Sequence, residues 1–188
     1  MTMIPRYLTI GVCGLSCRLC PRYHIDGESR CLGCKSEARM AVGCPFITCA
    51  MKKKGIEFCW ECEQSDNCPK WGFHRKASRI GDSFKCYQTL ESDITLIKKN
   101  SIVNFDKLQK TRELFLKELL RDFNDGQSKN YYCIAATVMD IKELEAALIE
   151  ARKTSRRLDA KGKAKNMHAI LDKIAQKKGY NLKLRKPK

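Results

Sequence analysis

The stretch Cys13-Gly-Leu-Ser-Cys17-Arg-Leu-Cys20-Pro21 opens the segment that decides the fold of this chain of 188 residues. Ten of the twelve cysteines fall between Cys13 and Cys68, where large aliphatic side chains are few. A segment of this length with little apolar surface to bury needs another source of stability. We therefore expect cysteine thiolates around metal to hold this segment together.

Two C-x2-C pairs in this segment have the spacing of a tetrahedral zinc site. Cys17 and Cys20 form the first pair, and Cys31 and Cys34 form the second. Each pair presents two sulfurs on one tight turn, and two such turns complete a tetrahedron of thiolates. The spacing therefore predicts a four-thiolate site, with zinc as the leading metal.

A second thiolate site is predicted from Cys49, Cys59 and Cys62. Its fourth ligand is either Cys44 or Cys68, and the sequence leaves this choice open. Ten thiols are two more than two four-thiolate sites need, so the pairing of thiols into sites is not fixed by their number.

Because of these two additional thiols, an iron–sulfur cluster remains the alternative to zinc. Cys13-x3-Cys17-x2-Cys20 has the three-thiol spacing with which radical-SAM enzymes bind a [4Fe–4S] cluster. Those enzymes carry the cluster on a barrel of strands and helices, and this chain is too short and too helical after the motif to build one. Ligand softness and spacing favour zinc, and disulfides or unliganded thiols are the remaining alternative.

The composition predicts a cytoplasmic protein without a membrane span. No apolar run approaches the length of a transmembrane helix, and Met1 to Gly14 lacks the apolar core of a secretory signal. In a reducing compartment, C-x2-C pairs favour metal or redox chemistry over structural disulfides.

After Pro69 the apolar residues follow the period of amphipathic helices. The fold class predicted is α-rich, with an irregular cysteine-rich metal-binding region (1–70), a helical region (71–150) and a basic helical tail (151–188). One strand is expected around residues 7–12. The predicted helical segments are Lys70 to Ile97, Phe105 to Phe123 with Asn104 as N-cap, Lys129 to Val138, a helix opened by a capping box at Asp140 and Glu143, and Lys163 to Lys178 after a break at Gly162 and before a cap at Gly179.

The tail from residue 151 to residue 188 carries most of the basic charge. Ten Lys and four Arg against two Asp give it a net charge of +12, out of +16 for the chain. Nucleic acid, an acidic protein or an anionic membrane surface would suit this charge. A solvated and partly disordered arm explains the composition equally well.

The cysteine spacings resemble those of the DUF3795 family, which are small bacterial and archaeal proteins of unknown function. The resemblance implies metal binding and supplies no reaction. It continues into a later segment, since Asn124-Asp125-Gly126-Gln127-Ser128-Lys129 and the residues through Cys133 are similar to the NDGRSK-x-YCIA segment of longer members. The likeness therefore covers about residues 10–150, although Gln127 stands where the family usually has Arg.

The segment from Gly126 to Lys129 has two interpretations. Free backbone N–H groups at a helix start, the Ser128 hydroxyl and the Lys129 ammonium would together bind an anion. The interpretation that the sequence favours is a helix–helix turn at Asp125-Gly126 with Ser128 as N-cap. If the anion site forms, Cys133 lies one helical turn away and becomes a candidate reactive thiol.

The leading function predicted is a cytoplasmic metal-binding protein whose structural zinc presents a surface to a protein partner. One alternative is an iron–sulfur redox protein or enzyme that uses Cys13, Cys17 and Cys20, with or without Cys133. The other is a nucleic-acid-binding protein that acts through residues 152–188. Whether the chain is an enzyme stays open.

Overall fold

The computed structural model describes residues 3–186, which are 61% helical. The eight α-helices within that span are α1 (Glu37–Val42), α2 (Pro45–Ile47), α3 (Pro69–Ile80), α4 (Leu90–Asn100), α5 (Ile102–Asp122), α6 (Lys129–Val138), α7 (Ile141–Thr154) and α8 (Ala160–Lys178). A π-helical segment, Thr48–Lys53, follows α2 directly, and short 3-10 turns form at Cys17–Leu19, Pro21–His24 and Cys59–Glu61. The α-rich fold class is confirmed.

The strand predicted around residues 7–12 is wrong. Within the described residues no strand forms, and the only trace of pairing there is a single bridge between Ile10 and Ser16. The chain turns back on itself too sharply for a strand, because the Gly11 N–H donates to Leu15 O at 2.7 Å and Gly14 adopts a φ of +106°. A Cβ at Gly14 would also meet Ile94, Leu90 and Trp60 within 3.4 Å, so this turn lies close against the helices.

The main core lies among α5, α6, α7 and α8. Each helix contributes buried side chains on its apolar face, as the 3.6-residue period requires. Leu19, from the cysteine-rich region, is buried in the same core, so that region is packed on the helical half. The helical side chains at the centre are Leu116, Leu119, Tyr132, Ala136, Leu144, Leu148, Met167 and Leu171.

The helical segment predicted from Lys70 to Ile97 is two helices in the structure. α3 ends at Ile80 and α4 begins at Leu90. Between them Asp82 accepts hydrogen bonds from the Tyr87 N–H at 2.6 Å and from the Arg185 side chain at 3.0 Å. The hydrogen bond from Arg185, which is more than a hundred residues away in the sequence, stabilises this loop, and local periodicity does not predict such a contact.

Two other predicted helix starts shift for local reasons. α5 begins at Ile102, because Ser101 rather than Asn104 is its N-cap and its hydroxyl accepts from the Asn104 N–H at 3.5 Å. α8 begins at Ala160, and Gly162 lies inside its first turn, where its N–H donates to Asp159 Oδ1 at 2.8 Å. The bounds of α6, the capping box of α7 and the cap at Gly179 are confirmed.

The basic segment is part of the fold from residue 160 to residue 185. Met167, Ile170 and Leu171 on α8 are buried in the main core. After Gly179 the chain crosses to α3, where the Arg185 side chain donates to Ser78 O at 2.7 Å. None of the helices in the part of the chain that the structure describes is long and apolar enough to cross a membrane.

Candidate functional site

A cavity of about 370 Å³ lies between the helical residues 45–53, the turn Cys59–Glu61 and the start of α3. Its walls are mainly apolar and include Phe46 and Trp71. Four cysteines line it: Cys49, Cys59, Cys62 and Cys68. Three of them are the predicted second thiolate set, and Cys68 is one of the two residues proposed as the fourth member.

Cys59 is the thiol at the centre of this group. It packs with Cys13 and Cys68 against Trp71, and with Cys44 against the side chains around Val12. Burial, followed by the charges of neighbouring sulfurs, with that of Cys13 the largest, raises the pKa of Cys59 to about 12. The sequence did not predict Cys13 in this group, because its spacing assigns it to the thiols that follow it.

Two lysines, Lys54 and Lys70, line the cavity, and Lys54 contacts one of its thiols. The Lys54 Nζ donates to Cys62 Sγ at 2.9 Å and to Gln64 Oε1 at 3.0 Å. This hydrogen bond lowers the pKa of the Cys62 thiol and raises the pKa of the Lys54 ammonium. Sequence reasoning missed this residue; its only signal is a run of three lysines ahead of Gly55, whose φ is +65°.

Of the four thiols predicted for the first site, Cys17 and Cys34 contact each other in the structure. Cys17 Sγ accepts the Cys34 N–H at 3.3 Å, and a hydrogen bond between the two thiols lowers the pKa of Cys17 and raises that of Cys34. Gly33 makes this approach possible, since its φ is +109° and a Cβ there would lie 2.8 Å from Leu8 O. Within residues 3–186, no group of three or more Cys, His, Asp or Glu side chains is arranged to hold a metal ion as the side chains stand.

The other two thiols of that first set have different surroundings. Cys20 is buried, and its charge is one of the influences that raise the pKa of the Cys133 thiol in the helical half. Cys31 is half-buried, and its N–H donates to Arg22 O at 3.0 Å. Cys13, Cys17 and Cys20 likewise do not form a group arranged to hold a metal ion as the side chains stand. Cys13 is nevertheless close enough to Cys17 for the charge of Cys17 to raise its pKa.

Residues 9–73 match the model of a family described as "Protein of unknown function (DUF3795)". We refer to residues 9–73, which match this model, as the DUF3795 region. It includes all ten cysteines from Cys13 to Cys68, so the cavity lies wholly within it. The match is shorter than the predicted span of about 10–150 and leaves residues 124–136 outside. No curated protein and no solved structure matches the chain.

Outside the DUF3795 region, the start of α6 already holds a carboxylate from the chain itself. Asp125 Oδ1 accepts the N–H groups of Gln127 and Ser128 at 3.0 Å and the Ser128 hydroxyl at 2.8 Å. Gly126 adopts a φ of +89° between them. These donors are therefore occupied as the turn interpretation requires. Ser128 is the N-cap residue of α6 as predicted, although its side chain makes no capping hydrogen bond to the helix.

Ser128 also has a neighbour that the sequence did not suggest. His168 Nε2 lies 2.9 Å from Ser128 Oγ, with its ring stacked on Tyr131 at 4.0 Å. The Asp125, Ser128 and His168 contacts do not make a hydrolytic triad, because the Ser128 proton goes to Asp125 and the residue is only 3% exposed. A nucleophile must instead give its proton to the base and reach the substrate.

Cys133 lies in the middle of α6 and is 2% exposed. Burial raises the pKa of its thiol to about 12. Reactive cysteines need a lowered pKa and access to solvent. The surroundings of Cys133 are those of a packed core thiol.

Proposed function

We propose that the DUF3795 region binds a soft metal ion through thiolates at the 370 Å³ cavity, with Cys59 as the central ligand. The observation that carries this proposal is the convergence of four cysteines from three separate segments on one cavity: Cys49, Cys59, Cys62 and Cys68. Thiolates select soft metals such as zinc and iron–sulfur clusters. All twelve cysteines are free thiols, which fits the reducing compartment that we propose, the cytoplasm.

The side chains would have to turn to bind the ion. Zinc–sulfur bonds of about 2.3 Å require neighbouring sulfurs roughly 3.8 Å apart in a tetrahedron. A cysteine side chain moves its sulfur by rotation about one bond, and Cys49, Cys62 and Cys68 are half-buried at the cavity. Their sulfurs can therefore approach Cys59 without opening the main core.

Zinc is the leading metal, and its charge suits this site. Four thiolates and one Zn²⁺ leave two net negative charges, which the Lys54 ammonium beside Cys62 would partly offset. The cavity volume of about 370 Å³ also leaves room for the alternative, a [4Fe–4S] cluster, which fills more space than one ion. A visible absorption band that dithionite bleaches distinguishes the cluster from zinc.

The test is metal analysis of the full chain purified anaerobically, together with Cys59→Ser and Cys68→Ser. We expect about one metal ion or cluster per chain at the cavity and its loss in both variants. Cys86→Ser is the matched control, because Cys86 is buried outside the cavity and should leave the metal content unchanged. Full metal content in Cys68→Ser, or none in the unmodified chain, would refute the proposal.

We propose nucleic acid as the partner of the basic segment, on one observation. Lys161, Lys165, Lys173 and Lys177 are exposed, and their spacing of four or eight residues makes a row that winds over about half of the α8 surface. Such a row can follow a phosphate backbone. Binding to an RNA or DNA oligonucleotide should then fall steeply with salt, and salt-independent or absent binding contradicts this role.

A further inference from the structure

A second cavity of about 370 Å³ lies outside the thiol site. Its walls come from the turn Pro21–His24 and the loop after it, the end of α5, and the α5–α6 connection with the first residue of α6. Four cationic side chains line it: Arg30, Lys117, Arg121 and Lys129. Asp26 is the single carboxylate residue among the lining side chains.

The four cations differ in how far the chain already neutralises them. Lys117 pairs with Glu113 at 3.0 Å, and Arg121 pairs with Asp122 at 2.6 Å. Arg30 and Lys129 make no ion pair with any described residue. These two side chains are therefore the cations with charge left for a ligand.

Arg30 is held in position at the cavity by its neighbour. Its Nε donates to Tyr23 O at 3.0 Å, and its guanidinium lies 5.1 Å from the centroid of the Tyr23 ring. A guanidinium has five N–H donors, so this single bond leaves the planar fork available. A fixed fork loses little conformational entropy when it binds an anion.

The remaining polar groups suit an anionic oxygen compound. Tyr23 and Asn124 line the same cavity and supply uncharged hydrogen-bonding groups. His24 also lines it, and its Nε2 lies 2.6 Å from Arg18 O. Burial, the largest influence, lowers the pKa of His24, so its ring is neutral near pH 7 and does not add to the charge.

We propose that this cavity binds a small phosphomonoester, with Arg30 and Lys129 as the principal contacts to the phosphate. Cations from two separate segments favour a dianion over a monoanion, and the guanidinium fork matches two phosphate oxygens. The volume is that of a small-molecule pocket. A cavity of this size can receive a single phosphate group, whereas a nucleic acid backbone needs an extended groove.

This assignment differs from an anion site at the N-terminus of α6. The Gln127 and Ser128 N–H groups just before α6 bond to Asp125, so these two donors are not available to a ligand. Both anion sites would use Lys129. In the structure, however, Lys129 lines a cavity in which the second proposed phosphate contact, Arg30, comes from the loop after Pro21–His24. The site is also independent of metal at the thiol cavity.

The test is a titration of the full chain with inorganic phosphate and with glycerol 3-phosphate, followed by ¹H–¹⁵N NMR at constant ionic strength. We expect saturable shifts at Tyr23, Arg30, Asn124 and Lys129. Lys129→Gln and Arg30→Gln should each weaken binding about tenfold or more, because each removes one charged hydrogen-bond donor. Lys142→Gln, which removes the same charge from an exposed position on α7, should leave the affinity unchanged within about twofold.

Several results would overturn the proposal. One is the absence of saturable shifts with both compounds, and another is equal weakening in Lys142→Gln, which would mean that only overall charge matters. A third is binding of a single-stranded RNA oligonucleotide at these residues while both small phosphates fail to bind. Both cavity variants carry exposed or half-exposed substitutions, and unchanged NMR spectra elsewhere verify that they fold.

Discussion

The cysteine-rich region and the helical half of this chain are stabilised in different ways. Four helices in the C-terminal half share one continuous apolar core. The DUF3795 region has instead small clusters, such as the four buried residues Val12, Ile47, Ala50 and Met51, joined by turns. Apolar burial can hold the helical half, whereas the DUF3795 region depends more on polar and thiol contacts.

A buried ion pair joins two segments of the DUF3795 region. Lys35 Nζ lies 2.7 Å from Glu57 Oε1, and both side chains are at most 2% exposed. The ammonium also lies 3.7 Å from the centroid of the Phe58 ring, and Glu57 accepts the N–H groups of Arg6 and Tyr7. These contacts connect the N-terminal lead-in to the segment before the turn Cys59–Glu61.

The largest effect is expected from Glu57→Ala. It leaves the Lys35 ammonium buried without a counter-charge, which costs about 3–5 kcal/mol of unfolding free energy. Hydrogen exchange should increase most in residues 9–73 and least in α6 to α8, because the broken ion pair lies outside the main core. The double variant Lys35→Met with Glu57→Leu removes both charges and should recover much of the loss. Equal loss of protection in both halves would mean that they unfold as one unit.

The contact between the two halves has its own charged link. Arg18 Nη1 donates to Glu113 Oε2 on α5 at 2.6 Å, and Lys117 Nζ lies 3.0 Å from Oε1 of the same carboxylate. Burial raises the pKa of Glu113, and the hydrogen bonds from Arg18 and Lys117 outweigh it, so the net pKa lies below 4.5. The folded state thus favours the ionised carboxylate.

This shift predicts that acid weakens the link between the halves. A lowered folded pKa stabilises the protein above the unfolded value of 4.5, and the stabilisation is lost as the pH falls through the folded value. Urea unfolding monitored between pH 6 and pH 3 should show this loss, and Glu113→Gln should reduce the slope below about pH 4.5. An unchanged slope in Glu113→Gln would assign the acid sensitivity to other carboxylates.

Local sequence signals predicted the helical half better than the thiol site. The bounds of α6, the capping box at Asp140 and the cap at Gly179 depend on residues a few positions apart, and all three are confirmed. Cysteine spacing predicted that Cys49, Cys59 and Cys62 belong to one thiolate site; in the structure all three line one cavity, and the metal site itself stays a prediction. These signals are readable because each depends on a short stretch of chain.

The features that the sequence did not reveal depend on contacts between distant segments. Cys13 lies beside Cys59 because both pack on Trp71 of α3, and no spacing rule relates these three positions. The break between α3 and α4 depends on the hydrogen bond from Arg185 to Asp82. The Glu113 carboxylate on α5 likewise accepts a hydrogen bond from Arg18 of the cysteine-rich region. Hydrophobic periodicity carries no information about such pairings.

The smallest effect is expected at the capping box of α7. Asp140 Oδ1 accepts the Lys142 N–H at 2.8 Å, and the Glu143 side chain accepts the Asp140 N–H at 3.2 Å. Asp140→Ala removes one acceptor at the helix start and should cost about 1 kcal/mol of unfolding free energy. Asp140→Asn keeps the acceptor and is the matched control, with a loss of only a few tenths of a kcal/mol from the helix dipole. Because the cap belongs to the helical half, hydrogen exchange should increase at the start of α7 and not in residues 9–73. If Asp140→Asn and Asp140→Ala lower the unfolding free energy equally, the charge of Asp140 rather than its capping hydrogen bond stabilises α7. The helical half would then be stabilised by its apolar core and not by this cap.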